Sequence, residues 1–210
     1  MLATAPRAVW YLTRGSGTVS LLLLTLSVVL GVTTTVRWAT PRWPRFVVEN
    51  LHKNVSLLAV VFLAVHIVTA VVDGFVPIGW LDVVVPFGST YQPLWLGFGA
   101  LAVDLLAAVI VTSLLRVQFG HRAWRAVHWL VYACWPVAVV HSLGIGSDAG
   151  EPWMLAVDLV AVASVVAAVC WRLINAEAGA AGPSGGSPSP APARVSVSGA
   201  SPVRTFRGDA

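Results

Sequence analysis

Charge is the first thing this sequence has little of. Asp, Glu, Lys and Arg make up 10% of its 210 residues, against 57% hydrophobic. Soluble domains carry about 25% charged residues, so a water-soluble globule is excluded and an integral membrane bundle is expected. Cysteine is also scarce, with only Cys134 and Cys170. One falls mid-way along an apolar stretch and the other at the far end of another, too different in depth for a disulfide. Neither belongs to a CxxC or CxxCH pattern, which disfavours an iron–sulfur cluster or covalently attached haem. Both read as small buried apolar side chains. No glycine-rich nucleotide motif follows a strand and opens a helix. The net charge of +4 comes without a basic stripe interleaved with aromatics, so nucleic acid is not an expected partner.

What the chain does have is five long apolar runs, at about 9–34, 47–72, 94–115, 123–145 and 153–173. Each approaches the length needed to cross roughly 30 Å of hydrocarbon. Clusters of Pro and Gly punctuate them: ATPRWPR, FVPIGW, VVPFGS and SDAGEP. The first run carries Arg14 early and ends in TTTVRW, without a small-residue cleavage pattern, so it reads as a retained helix and not a signal peptide. Lys and Arg then set the orientation. Arg37, Arg42, Arg45 and Lys53 follow the first run; Arg116, Arg122 and Arg125 separate the third from the fourth; Arg172, Arg194, Arg204 and Arg207 follow the fifth. The other two connections hold only the acids Asp73, Asp82, Asp148 and Glu151. The expectation is an all-α, five-helix transmembrane bundle with the N-terminus out and the C-terminus in; Arg7 and Arg14 are the exceptions to the rule. Tryptophans near the run ends (Trp10, Trp38, Trp43, Trp95, Trp153, Trp171) suit an interfacial belt. The domain division is a membrane domain over 1–175 and a Gly-, Ser- and Pro-rich cytoplasmic tail over 176–210, expected to be disordered.

Two runs carry paired histidines. His52 and His66 lie fourteen residues apart in the second; His128 and His141 lie thirteen apart in the fourth. At about 1.5 Å per residue each pair spans roughly 20 Å, placing one histidine near each membrane face. Ionisable groups at such depth are costly and usually functional. Under the expected orientation both helices run outward, so His52 meets His128 near the inner face and His66 meets His141 near the outer face. Neutral imidazole is the natural axial ligand of haem iron, and two matched pairs suit two stacked haems. No three histidines come together as zinc would require. Phase is the weaker test. Fourteen residues at about 100° return His66 to within about 40° of His52, whereas thirteen leave His141 about 140° from His128. Pro136 lies between the latter two, and its bend is expected to turn His141 back toward the partner helix. His121 has no partner and reads as a solvated loop residue.

The strings LHK…VH and VHW…VVH, on two helices separated by a third, resemble the ferric reductase-like transmembrane domain. That domain is shared by NADPH oxidases, ferric reductases and the haem subunit of the bacterial periplasmic methionine-sulfoxide reductase system. The resemblance covers about 9–173. It implies two b-type haems ligated by His52, His66, His128 and His141, and electron transfer across the bacterial plasma membrane. It also places Arg14 beside the haems, where it would neutralise outer propionates; snorkelling to the interface is the alternative. The sequence departs from the oxidases in lacking their additional first helix and a flavin- and nicotinamide-binding domain. A separate flavoprotein reductase or quinol is therefore the implied donor, and ferric iron, oxygen or a partner protein the outer acceptor.

Asp104 and Asp158, inside the third and fifth runs, must face the bundle and not lipid; a structural hydrogen bond is the favoured role, proton relay or quinol contact the other. Tyr132 and Trp135 lie between the fourth-run histidines, where packing is favoured over a place between haems. The competing function is a non-redox transporter or assembly anchor with structural histidines, which would favour inverted repeats and broken midplane helices.

Overall fold

The computed structural model describes residues 5–35, 45–74, 76–146 and 148–180. Helix is the regular structure of these residues, with no strand among them. In order they form α1 (Ala5–Thr35), α2 (Arg45–Val72), the short α3 (Trp80–Val84), α4 (Pro93–Leu114), α5 (Arg116–His128), α6 (Val131–Gly144) and α7 (Pro152–Ala180). Four helices are each long and apolar enough to cross a bilayer, and α5 with α6 makes a fifth span if taken together. In hydrocarbon a backbone group has no water to bond, so a helix, which pairs its own N–H and C=O groups, is the stable solution. Hydroxyls follow the same rule. Thr13, Ser16, Thr18 and Thr25 on α1 each bond the carbonyl four residues back, which hides a polar side chain without a partner helix.

α1 is the central element, packed on α2, α6 and α7, while α4 packs on α6. The core lies between α1, α6 and α7, where Leu21, Val28, Val32, Trp135, Val139, Met154 and Ala161 are buried together. Without a hydrophobic driving force in lipid, close packing needs small residues. α1 supplies Ser20, whose hydroxyl reaches the Ala59 carbonyl at 3.3 Å, and Ser27, which bonds Ser56 at 2.6 Å. Across α4 and α6, the Trp95 ring lies directly against Gly144. α2 makes no comparable packing with α5 or α6 among the described residues. α2 and α6 are thus held apart, α2 against α1 and α6 against α4.

The fourth run differs from its expected form. It is two helices inclined at 44°, and the break is at Trp129 and Leu130, beside His128, not at Pro136. Leu130, Tyr132 and Ala133 donate to carbonyls three residues back, at 2.9, 3.0 and 3.0 Å, the tighter turn of a 3₁₀ helix. Pro136 offers no N–H to the Tyr132 carbonyl and crowds it, and the chain tightens just ahead of that carbonyl. Each tight residue turns roughly 20° further than an α-helical one. Three of them reduce the 140° offset between His128 and His141 to about 80°. At the other end, α7 continues through Ala180, past the expected boundary at 175. The remaining tail, 181–210, and Arg37, Trp38, Arg42 and Trp43 lie outside the described residues.

Candidate functional site: two histidine pairs

His66 on α2 and His141 on α6 line one cavity of about 370 Å³ enclosed by α1, α2, α4 and α6, within the range of cofactor sites. The wall is mostly apolar, with Leu24, Leu63, Leu106 and Ala138 among its residues. The structure therefore brings His66 of α2 and His141 of α6 to one cavity, with His52 on α2 and His128 on α5 outside its lining.

The hydrogen bonds of the rings decide what they can do. His66 Nδ1 lies 2.8 Å from the Thr13 carbonyl, His52 Nδ1 3.0 Å from the Ser27 carbonyl, and His141 Nδ1 2.8 Å from the Trp95 carbonyl. A carbonyl only accepts, so in each neutral ring Nδ1 carries the hydrogen and Nε2 keeps its lone pair. Metal-binding histidines are held in this way, with one nitrogen tied to an outer acceptor and the other free to ligate. His128 differs: its Nδ1 is buried with no hydrogen-bond partner, and its ring lies 5.2 Å from that of Trp124. Trp124 is itself held by a bond to Ser113 Oγ at 3.2 Å.

For His66 and His141 these features fit axial ligation of haem: the imidazoles lie on different helices, Nε2 is the free atom of each, and both line the same mostly apolar cavity. His52 shares the tautomer but lines no part of that cavity. A tetrahedral metal site does not match, because no three His, Cys, Asp or Glu side chains cluster among the described residues.

Arg14 also lines the cavity. It forms an ion pair with Asp148 in the α6–α7 connection, and its guanidinium lies 3.9 Å from the centre of the Trp10 ring. Sequence reasoning singled out Arg14 and missed its partner, because Asp148 is brought to it only by the packing of α7 on α1. Asp158 is buried and accepts a 2.7 Å bond from Ser142, the residue after His141. This is the helix-to-helix hydrogen bond expected of it. Asp104 is half-buried on α4. Trp135 belongs to the core and donates to Thr25 Oγ1 at 2.9 Å. Tyr132 is exposed. His121 is exposed but helical, on α5, with its ring 5.3 Å from Trp124. Cys134 is buried and Cys170 exposed; both are free thiols. Sequence reasoning also missed the supporting residues of the histidines. Their signal was present: T13-R-G-S-G17 and S27-V-V-L-G31 repeat a hydroxyl residue and a glycine four apart, at the fourteen-residue interval of His52 and His66.

Neither a curated protein nor a solved structure matches the chain. A model of the ferric reductase like transmembrane component matches residues 16–139, more than half of the sequence. The match takes in His52, His66 and His128 and stops just before His141. Domains of this kind generally bind haem and suggest a redox electron-transfer component of a membrane. With its multiple spans and the match over most of the bundle, the chain is a multi-pass membrane protein that belongs to the ferric reductase-like transmembrane family.

Proposed function

We propose that this chain is a di-haem b-type cytochrome that carries electrons across the bacterial plasma membrane, from a cytoplasmic or quinol donor to an acceptor outside. The single observation that carries this reading is the Nδ1–H to carbonyl bond made by His52, His66 and His141. It fixes three rings in the ligating tautomer, each in a pair with a histidine of the facing helix. His52 and His128 would hold the inner group and His66 and His141 the outer one. When bound, haem b supplies a one-electron iron couple. The protein's own work is to hold each imidazole in place, keep water from the apolar cavity and balance charge at its mouth. Arg14 has donors beyond those used by Asp148 and sits on the cavity wall, so it serves as the counter-charge for an anionic propionate. The N-terminus is outside and the C-terminus inside, because the basic connections cluster on the His52 and His128 side. The donor is a separate flavoprotein reductase or quinol; the acceptor is ferric iron, oxygen or a partner protein.

The test is a reduced-minus-oxidised spectrum with pyridine haemochrome quantification on protein made with haem in supply. Two b-type haems per chain are expected, and His66→Ala or His141→Ala should remove the outer one selectively. Colourless protein, or full loading after His52 and His66 are both replaced by Ala, refutes the reading.

A further inference from the structure

α1 holds none of the candidate ligands, yet it touches both histidines of α2 in the same manner. The Thr13 carbonyl accepts from His66, and Gly17, four residues on, lies under that ring; a Cβ there would stand 2.7 Å from Nδ1 and 2.8 Å from Cε1. The Ser27 carbonyl accepts from His52, and Gly31, four residues on, faces that ring; a Cβ there would stand 3.5 Å from Cε1. The device recurs on α4. The Trp95 carbonyl accepts from His141, and a Cβ at Gly99, again four residues on, would stand 2.6 Å from Cε1 and 2.7 Å from Nδ1. A carbonyl one turn ahead of a glycine fixes both the hydrogen bond and the height of the ring, because residues four apart share a helix face. His128 has no such carbonyl.

We infer that α1 and α4 are the templates for the sites, and that Gly17 and Gly99 are positioning residues that set the ring placement of His66 and His141. This rests on the di-haem reading and extends it to residues that touch no iron. The distances rank the glycines. Real Cβ atoms essentially never approach within 3.0 Å, so Gly17 and Gly99 leave no room for a methyl, whereas Gly31 does. Gly15, with nothing within 4 Å, is the control. The repeat along α1 is fourteen residues, which at about 1.5 Å each spaces the two sites roughly 21 Å apart along the helix.

The experiment uses the full-length holoprotein carrying Gly15→Ala, Gly17→Ala, Gly31→Ala or Gly99→Ala. Haem per chain, the low-spin electron paramagnetic resonance signals and the midpoint potentials are measured. Gly17→Ala and Gly99→Ala should each lose or shift the signal that His66→Ala and His141→Ala identify as the outer one, with haem falling toward half. Gly15→Ala and Gly31→Ala should keep both signals. A second comparison separates ring placement from ordinary helix packing: in a His66→Ala background, Gly17→Ala should leave the remaining haem and the elution profile unchanged. Both signals and potentials intact in Gly17→Ala and Gly99→Ala would overturn the inference. So would further loss of haem or of folded protein when Gly17→Ala is added to His66→Ala. If His66→Ala and His141→Ala themselves spare the haem, the di-haem reading fails instead.

Discussion

The bond from Trp135 Nε1 to Thr25 Oγ1 ties α6, the helix of His141, to α1, the support of α2, at 2.9 Å in a buried site, and so joins the α4–α6 and α1–α2 layers. Thr25→Val keeps the shape and removes the acceptor, leaving a buried indole N–H unmet. Hydrogen bonds between membrane helices are worth about 0.6 kcal/mol on average and up to about 1.7, and an orphaned buried donor costs about 1–3 kcal/mol. A loss of about 1.5 kcal/mol is expected. Trp135→Phe leaves Thr25 satisfied, since its hydroxyl still donates to the Leu21 carbonyl at 2.8 Å; that variant loses packing and the net bond alone. In the Trp135→Phe background Thr25→Val should then cost under about 0.5 kcal/mol, a coupling of about 1 kcal/mol. Unfolding in mixed micelles, followed by helical circular dichroism, measures all four corners. Additive effects, with coupling near zero, refute the claim that this bond joins the layers.

Ser142→Ala leaves the Asp158 carboxylate without its donor in a buried site, so it should destabilise by about 1–3 kcal/mol, and Ser142→Ala with Asp158→Leu should recover most of the loss; the same unfolding assay decides. In folded detergent-solubilised protein, maleimide should label one thiol per chain, at the exposed Cys170, with Cys134 reacting only after unfolding; mass spectrometry reads the sites. These 210 residues contain no nucleotide motif, so NADPH alone should not reduce the purified protein, whereas a flavin reductase or a quinol should. Salt should slow only the flavoprotein, because charge steering is screened beyond about 8–10 Å, as stopped-flow absorbance would show.

The spans were legible because period and length dominate in lipid. Hydrophobic runs bounded by Pro and Gly mark where a helix can and cannot continue, and four of the five runs end within a few residues of α1, α2, α4 and the start of α7. The family resemblance was legible for a related reason: histidines are rare in such runs, so a double interval of fourteen and thirteen stands out. The break beside His128 was not legible. Pro136 signals a bend, but where a helix yields depends on which carbonyls its neighbours crowd, and that is a tertiary fact. The Arg14–Asp148 pair was hidden because nearly the whole bundle separates the two in sequence. The carbonyl acceptors were hidden because every residue has a carbonyl; only the side-chain register of α1 against α2 selects Thr13 and Ser27.

The break between α5 and α6 also has a mechanical consequence for the bilayer. α6 has 14 residues and rises about 21 Å, well short of hydrocarbon about 30 Å thick. α2, with 28 residues, rises about 42 Å and overshoots it. α6 therefore needs the last turns of α5, across the 44° bend, to complete a span, whereas α2 crosses alone. Lipid accommodates a short span by thinning and by long cationic side chains reaching to the headgroups. Arg122 and Arg125, exposed on α5 just ahead of the break, are placed to do this.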